Sequence, residues 1–304
     1  MKADKRGYTL PELKREVDEL FLKQYDPYVF FRAARIAEAA FDEPSSLAAI
    51  LAEDTQTAVE SARREILHSS ASLIHQYRYF QVESMLMTLV ASAHPEKPFL
   101  YTLKKLRGDK WDRAISDFAA GQVPQGHSIV FKGVTQSFSN WVDCTLFNAV
   151  GVEQKEELEA LKDFIVQEAK FLTSRKSFNA FKHGLRLISG PMDVRIIPEG
   201  SPDGAGISLS GEYAVHWLDW ESSGPDEYSY RTSTKAIDPG FDIRRIGVAA
   251  DLMRVWKERR TVEARAGLLE IKVPSIPSGH GPTNQFSFKI GLEFAKGGGE
   301  ERGS

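Results

Sequence analysis

Apolar residues recur every three or four positions through roughly the first 190 residues and every second position through much of the rest, so the chain reads as helices followed by strands. Thr9, Pro11 and Glu12 form a capping box with proline in the first turn, which predicts a helix from Leu10 to Tyr25. Asp26-Pro27 restarts the pattern. Val29, Phe30, Ala33, Ile36, Ala37 and Ala40 then mark a second helix that ends before Pro44. Ser45 and Ser46 cap a stretch without Gly or Pro that is expected to stay helical to about Ala93. In its second half Phe80, Met85, Leu86, Met87, Leu89 and Val90 lie nearly all round the axis, as in the central helix of a bundle. Shorter helices are expected at Phe99–Leu106, Trp111–Ala120 and Trp141–Val150. A second long helix is expected from Glu153 to Ser189, with Leu158, Leu161, Phe164, Ile165, Ala169 and Leu172 on one face.

Beyond Gly190-Pro191 the period changes. Met192–Ile197, Gly206–Ser210, Glu212–Trp220 and Tyr228–Ala236 are short strand-like runs separated by turn residues such as Ser201-Pro202-Asp203-Gly204, which predicts an antiparallel meander. Asp238-Pro239 opens a helix to about Ala266, and Leu268–Val273 and Phe286–Phe294 complete the strands. The expected class is α+β: a helical bundle over 1–190, a small and mostly antiparallel α+β domain over 191–296, and a flexible glycine-rich tail over 297–304.

Composition narrows the chemistry. The 304 residues are 42% hydrophobic and 27% charged, which suits a chain with buried cores and excludes a disordered one. A formal net charge of −3 gives no global attraction to nucleic acid or anionic lipid, so any such contact must be local. One cysteine, Cys144, allows neither an internal disulfide nor a cysteine zinc cluster, and no run approaches a membrane span or a secretory signal. A cytoplasmic protein is the expectation. No phosphate-binding glycine loop, dinucleotide fingerprint, serine elbow or zinc-protease motif occurs, and neither metal nor cofactor is expected.

The densest local chemistry lies in Arg175-Lys-Ser-Phe-Asn179-Ala-Phe-Lys182-His183-Gly-Leu-Arg186. On one continuous helix, Arg175, Asn179, Lys182, His183 and Arg186 would share an arc of about 100°, opposite Phe178, Phe181, Leu185 and Ile188. Such a stripe has donors for a phosphodiester and an imidazole able to move protons near neutral pH. Solvated helix residues, cationic because they lie near a helix C-terminus, are the alternative reading.

The run Asn179-x-x-Lys182-His183-Gly184 on the last long helix of an α-bundle resembles the HEPN (higher eukaryotes and prokaryotes nucleotide-binding) superfamily. The likeness covers about Ser45–Ser189 by helix pattern and about a dozen residues by motif. The resemblance implies RNA or nucleotide-phosphate binding and, in active members, metal-independent RNA cleavage by a homodimer in which two motifs meet. It would make His183 the acid–base group, Asn179 its polar partner and Arg175 the catalytic cation, with Lys182 and Arg186 on the substrate. The spacing departs from the family: four intervening residues would put the Arg at Phe178, Arg175 has seven between it and His183, and the six-residue position is Lys176. The competing class is a non-catalytic interaction or scaffold protein whose stripe makes dimer or interdomain contacts.

Glu83 stands in an apolar segment where a carboxylate is costly unless paired, which predicts a partner in the basic stripe, and it is included in the candidate substrate-binding set. His68 and His75 read as satisfied or exposed histidines. Glu270-x-Lys272 at a strand end resembles the metal-dependent PD-(D/E)xK nucleases, although alternate charges on a solvent-facing strand give the same pattern. The helix from Asp238 carries Arg244, Arg245, Arg254, Lys257, Arg259, Arg260 and Arg265, read as a basic solvated face over an apolar one. Tyr213, Trp217, Trp220, Tyr228 and Tyr230 are candidates for stacking on a flat ligand or for cross-strand pairs.

Overall fold

The computed structural model describes residues 10–51, 56–94, 97–131, 133–147, 155–182, 187–196, 207–224, 227–263 and 285–290. The helices are α1 (Leu10–Gln24), α2 (Val29–Asp42), α3 (Pro44–Leu51), α4 (Gln56–Ser92), α5 (Phe99–Lys105), α6 (Asp109–Ala119), α7 (Phe138–Phe147), α8 (Lys155–Thr173), α9 (Lys176–Lys182) and α10 (Pro239–Glu263). A two-residue ladder, β1 (Val130–Phe131) with β2 (Val134–Thr135), precedes α7. The larger sheet has the antiparallel order β3 (Leu187–Ile196), β4 (Ile207–Gly224), β5 (Glu227–Ala236), β6 (Gln285–Ile290). The architecture is α+β with a helical N-terminal region, as the change of hydrophobic period predicts.

Two compact units result, one of residues 1–176 with 238–281 and the other of 177–237 with 282–304. The boundary expected at Gly190-Pro191 therefore falls inside β3, and the helix expected in the second domain, α10, belongs to the helical unit. The reason is packing. Ile243 and Ile246 of α10 join Ala34, Ala37 and Ile74 in one core cluster, with Phe31 and Tyr77 against it. Gly247 lets α10 come close to α2, since a Cβ there would stand 3.3 Å from the Phe31 ring. Further along, the Trp256 indole N–H donates to Ser92 Oγ at 2.8 Å, and its ring packs against Phe99 and Tyr25.

The central helix is α4, buried on nearly every side from Ser70 to Ser92. The helix expected from Ser45 to Ala93 is described as α3 and α4, with residues 52–55 between them outside the described residues. The second long helix is interrupted. It stops at Thr173, turns at Ser174 and Arg175, resumes as α9, and gives way to a strand by Leu187 where helix was expected to Ser189. Thr173 Oγ1 donates to the Lys170 carbonyl at 2.7 Å, Ser174 Oγ donates to that of Phe171 at 2.8 Å, and the Tyr79 hydroxyl donates to that of Ser174 at 3.2 Å. These bonds occupy carbonyls that a continuing helix would use.

In the sheet unit Met192, Ala214, Val215 and Trp217 are buried, and Trp220 stands opposite Tyr230 in register. Burial of Trp217 removes it as a stacking platform. The expected strand Leu268–Val273, with Glu270 and Lys272, and the expected flexible tail at 297–304 lie outside the described residues.

Ile246→Ala empties a fully buried position between α10 and the other helices, and urea unfolding should show a loss of roughly 2–5 kcal/mol. A loss under about 1 kcal/mol would place α10 outside the core.

Candidate functional site

The stripe expected along one helix is divided by the turn at Ser174 and Arg175, and its members fall in different units. In the sheet unit, α9 exposes Asn179 and Lys182 and buries Phe178 and Ala180. Lys182 Nζ lies 3.9 Å from the centre of the Phe178 ring, so its stem runs along that apolar surface while the ammonium reaches solvent. His183 and Arg186 lie outside the described residues.

Arg175 belongs to the helical unit and is held there by carboxylates. Its guanidinium pairs with Asp112 of α6 and lies 3.9 Å from Glu83 Oε1 of α4. The same Glu83 oxygen accepts the Trp111 indole N–H at 3.1 Å. Glu83 is thus partnered by Arg175 and Trp111, and its place is in holding α4, α6 and the turn after α8 together. Arg175 lies in the turn before α9 rather than on that helix, so the single-helix arc that grouped it with Asn179 and Lys182 does not form, and its guanidinium faces two carboxylates.

Sequence reasoning missed a buried polar network in the helical unit. Arg78 of α4 donates through Nε and Nη2 to the two oxygens of Glu168 of α8, at 3.0 and 2.9 Å, and through Nη1 to Asp242 Oδ1 of α10 at 2.7 Å. Asp242 Oδ2 faces His75 Nδ1 at 2.6 Å. Arg245 of α10 donates to Glu168 Oε1 at 2.5 Å and to Gln167 Oε1 at 3.1 Å. His75, Arg78, Glu168, Asp242 and Arg245 are all buried, Glu168 completely. Phe171 stacks 3.9 Å from the Arg78 guanidinium and Phe164 4.2 Å from that of Arg245, closing off water.

Burial alone would raise the Asp242 carboxyl, but the charges and hydrogen bonds of His75 and Arg78 outweigh it and hold the group at about 2. Burial pulls the Arg245 guanidinium down, with Glu168 opposing the fall, whereas at Arg78 Glu168 and Asp242 more than offset burial and raise it. With two guanidiniums set against two carboxylates, the network fixes three helices. The signal for it was present: Glu168 follows Leu161, Phe164 and Ile165 at core spacing, and Asp242 and Arg245 sit three apart on α10.

Among the described residues no group of three His, Cys, Asp or Glu side chains is placed to hold a metal ion, and no helix is long and apolar enough to cross a membrane.

Asp242→Asn should cost about 3–5 kcal/mol in chemical unfolding, because Arg78 keeps its buried charge while losing a carboxylate. The folded-state pKa of Asp242 lies below its unfolded value of 3.8, so its stabilisation is complete above that pH and is lost as pH falls through about 2. Acid titration followed by circular dichroism should therefore show a shallower loss below pH 4 in the variant than in the wild type. Equal acid limbs would contradict the pairing.

No protein-family model, curated protein or solved structure matches the chain.

Proposed function

We propose that this protein binds RNA or a nucleotide phosphate through the surface of α9 and the residues that follow it, with Asn179, Lys182, His183 and Arg186 as the contacting set. The observation that carries this reading is the sorting of α9: Phe178 and Ala180 go inside, and Asn179 and Lys182 stay in solvent. An exposed amide and ammonium followed by a histidine and an arginine supply donors of the kind that grip a phosphodiester backbone.

Binding is favoured over cleavage. A metal-independent ribonuclease needs a base for the ribose 2′-hydroxyl, an acid for the leaving oxygen and a cation for the charge on phosphorus. His183 is the acid–base candidate, and a partner copy in a homodimer would bring a second one. The cation would have to be other than Arg175, which is committed to Asp112 and Glu83.

A second reading, a non-catalytic interaction protein, draws support from the apolar side chains that α2 and α3 leave in solvent. Ile36 is 73% exposed, Ile50 76% and Leu51 71%. Salt separates the two readings, because counterion release makes RNA binding weaken steeply with salt and an apolar contact lacks that dependence.

Fluorescence anisotropy with a mixed-sequence single-stranded RNA in EDTA is the test. Lys182→Ala should weaken binding for every sequence and flatten the log–log salt slope by roughly 0.7, the value for one lost phosphate contact on a single strand. Arg175→Ala should leave that slope unchanged. Salt-independent binding, or none, overturns the proposal, and loss of RNA length in the same samples would restore cleavage.

A further inference from the structure

Another group of chemistry-bearing side chains lies in the helical unit, away from the buried ion network. Lys110, Arg113 and Asp117 recur along one face of α6 and line a cleft of about 360 Å3, which Gln125, Gly126 and His127 complete. The local sequence fixes that second wall. Gly126 has φ of +79°, and the His127 N–H donates to the Pro124 carbonyl at 3.0 Å, as in a type II turn with glycine at its third position. Asp117 Oδ2 accepts the Gln125 N–H at 2.8 Å, and the Trp141 indole donates to the His127 carbonyl at 2.7 Å, so the turn is tied to both α6 and α7.

Behind this wall His94 Nε2 lies 2.8 Å from His127 Nδ1, and Lys97 Nζ lies 3.5 Å from His94 Nδ1. Donor chemistry gives this chain a direction. An ammonium can only donate, so His94 Nδ1 accepts and His94 carries its proton on Nε2. That proton is donated to His127 Nδ1, and a neutral His127 must then carry its own proton on Nε2. Burial, aided by the neighbouring His94 imidazole and the Lys97 ammonium, lowers His127 from 6.5 to about 4, which keeps the ring neutral at pH 7. The cleft thus combines an ammonium, a guanidinium and an oriented imidazole N–H, and its one carboxylate, Asp117, already accepts from the backbone.

We propose that this cleft is a phosphate-binding site, in which Lys110, Arg113 and the His127 Nε2–H hold the phosphoryl oxygens, distinct from the RNA-contacting surface of α9. Its volume leaves room for a group attached to the phosphate. The shared chemistry is the phosphate, whether free or carried by a nucleotide.

The test is titration of the full chain with inorganic phosphate, 5′-AMP and adenosine, followed through the His127 imidazole by nitrogen-15 NMR. Phosphate and 5′-AMP should produce a saturable shift and adenosine none. Tighter binding of 5′-AMP assigns a nucleotide as the source, and equal affinity assigns free phosphate. Lys110→Met and Arg113→Met, both at exposed positions, should each weaken binding about tenfold while RNA binding through Lys182 is unchanged. Sulfate, whose charge is constant across the range, should bind equally from pH 6 to pH 8. The charged groups around the imidazole pair are Lys110, Arg113 and Asp117 on the cleft side, and Lys97, Asp18 and Arg260 in the pocket beside His94. Sulfate affinity that falls as pH rises would reveal a protonated imidazole in the His94–His127 pair and overturn the donor direction. A response to adenosine equal to that of 5′-AMP, no response to phosphate, or a phosphate response that survives both substitutions overturns the site.

Discussion

Two carboxylates and two guanidiniums buried among α4, α8 and α10 must neutralise one another, and much of the rest of the molecule is arranged around that requirement. A lone buried charge is destabilising by several kcal/mol, so Glu168 and Asp242 are tolerable only where Arg78 and Arg245 reach them. The pairing dictates that α10 return to the helical unit after the chain has made β3, β4 and β5. Apolar packing of Ile243 and Ile246 supplies the adhesion, and the charges select the register, since sliding α10 by one turn would separate Asp242 from both Arg78 and His75.

The legible parts of the fold were those set by local chemistry. The capping box before α1, the Asp26-Pro27 restart, Pro44 and the change from helical to strand period mark elements close to where they occur. The parts that were not legible depend on distant partners. The break after α8 comes from hydroxyls of Thr173 and Ser174 that bond backward, and from Tyr79, ninety-five residues earlier, taking the Ser174 carbonyl. The assignment of α10 to the helical unit requires knowing that its buried face carries Asp242 and Arg245 toward Glu168 and Arg78, whereas its composition suggested a solvated basic face over an apolar one. His75 reads as ordinary until Asp242 is placed beside it. The turn at Pro124–His127 looks like any glycine-containing loop until His94 is placed behind it.

The same contrast organises the functional reading. Arg175, Arg78 and Arg245 are cations whose charge is spent on carboxylates inside the helical unit, and they hold structure. Lys182, Lys110 and Arg113 stand at exposed positions where a phosphate can reach them. Helical periodicity alone treats all of these as one basic population; burial divides them. Of the stripe read from sequence, Asn179 and Lys182 keep the exposure a ligand contact needs, and Arg175 does not keep its free charge.

Amide hydrogen exchange of the full chain, with and without single-stranded RNA at low salt, tests the central claim most directly. The predicted result is protection on RNA binding in α9 and the segment through Arg186, with α2 and α3 unchanged. Protection confined to α2 and α3, or no change across residues 176–190 while RNA is bound, would contradict it.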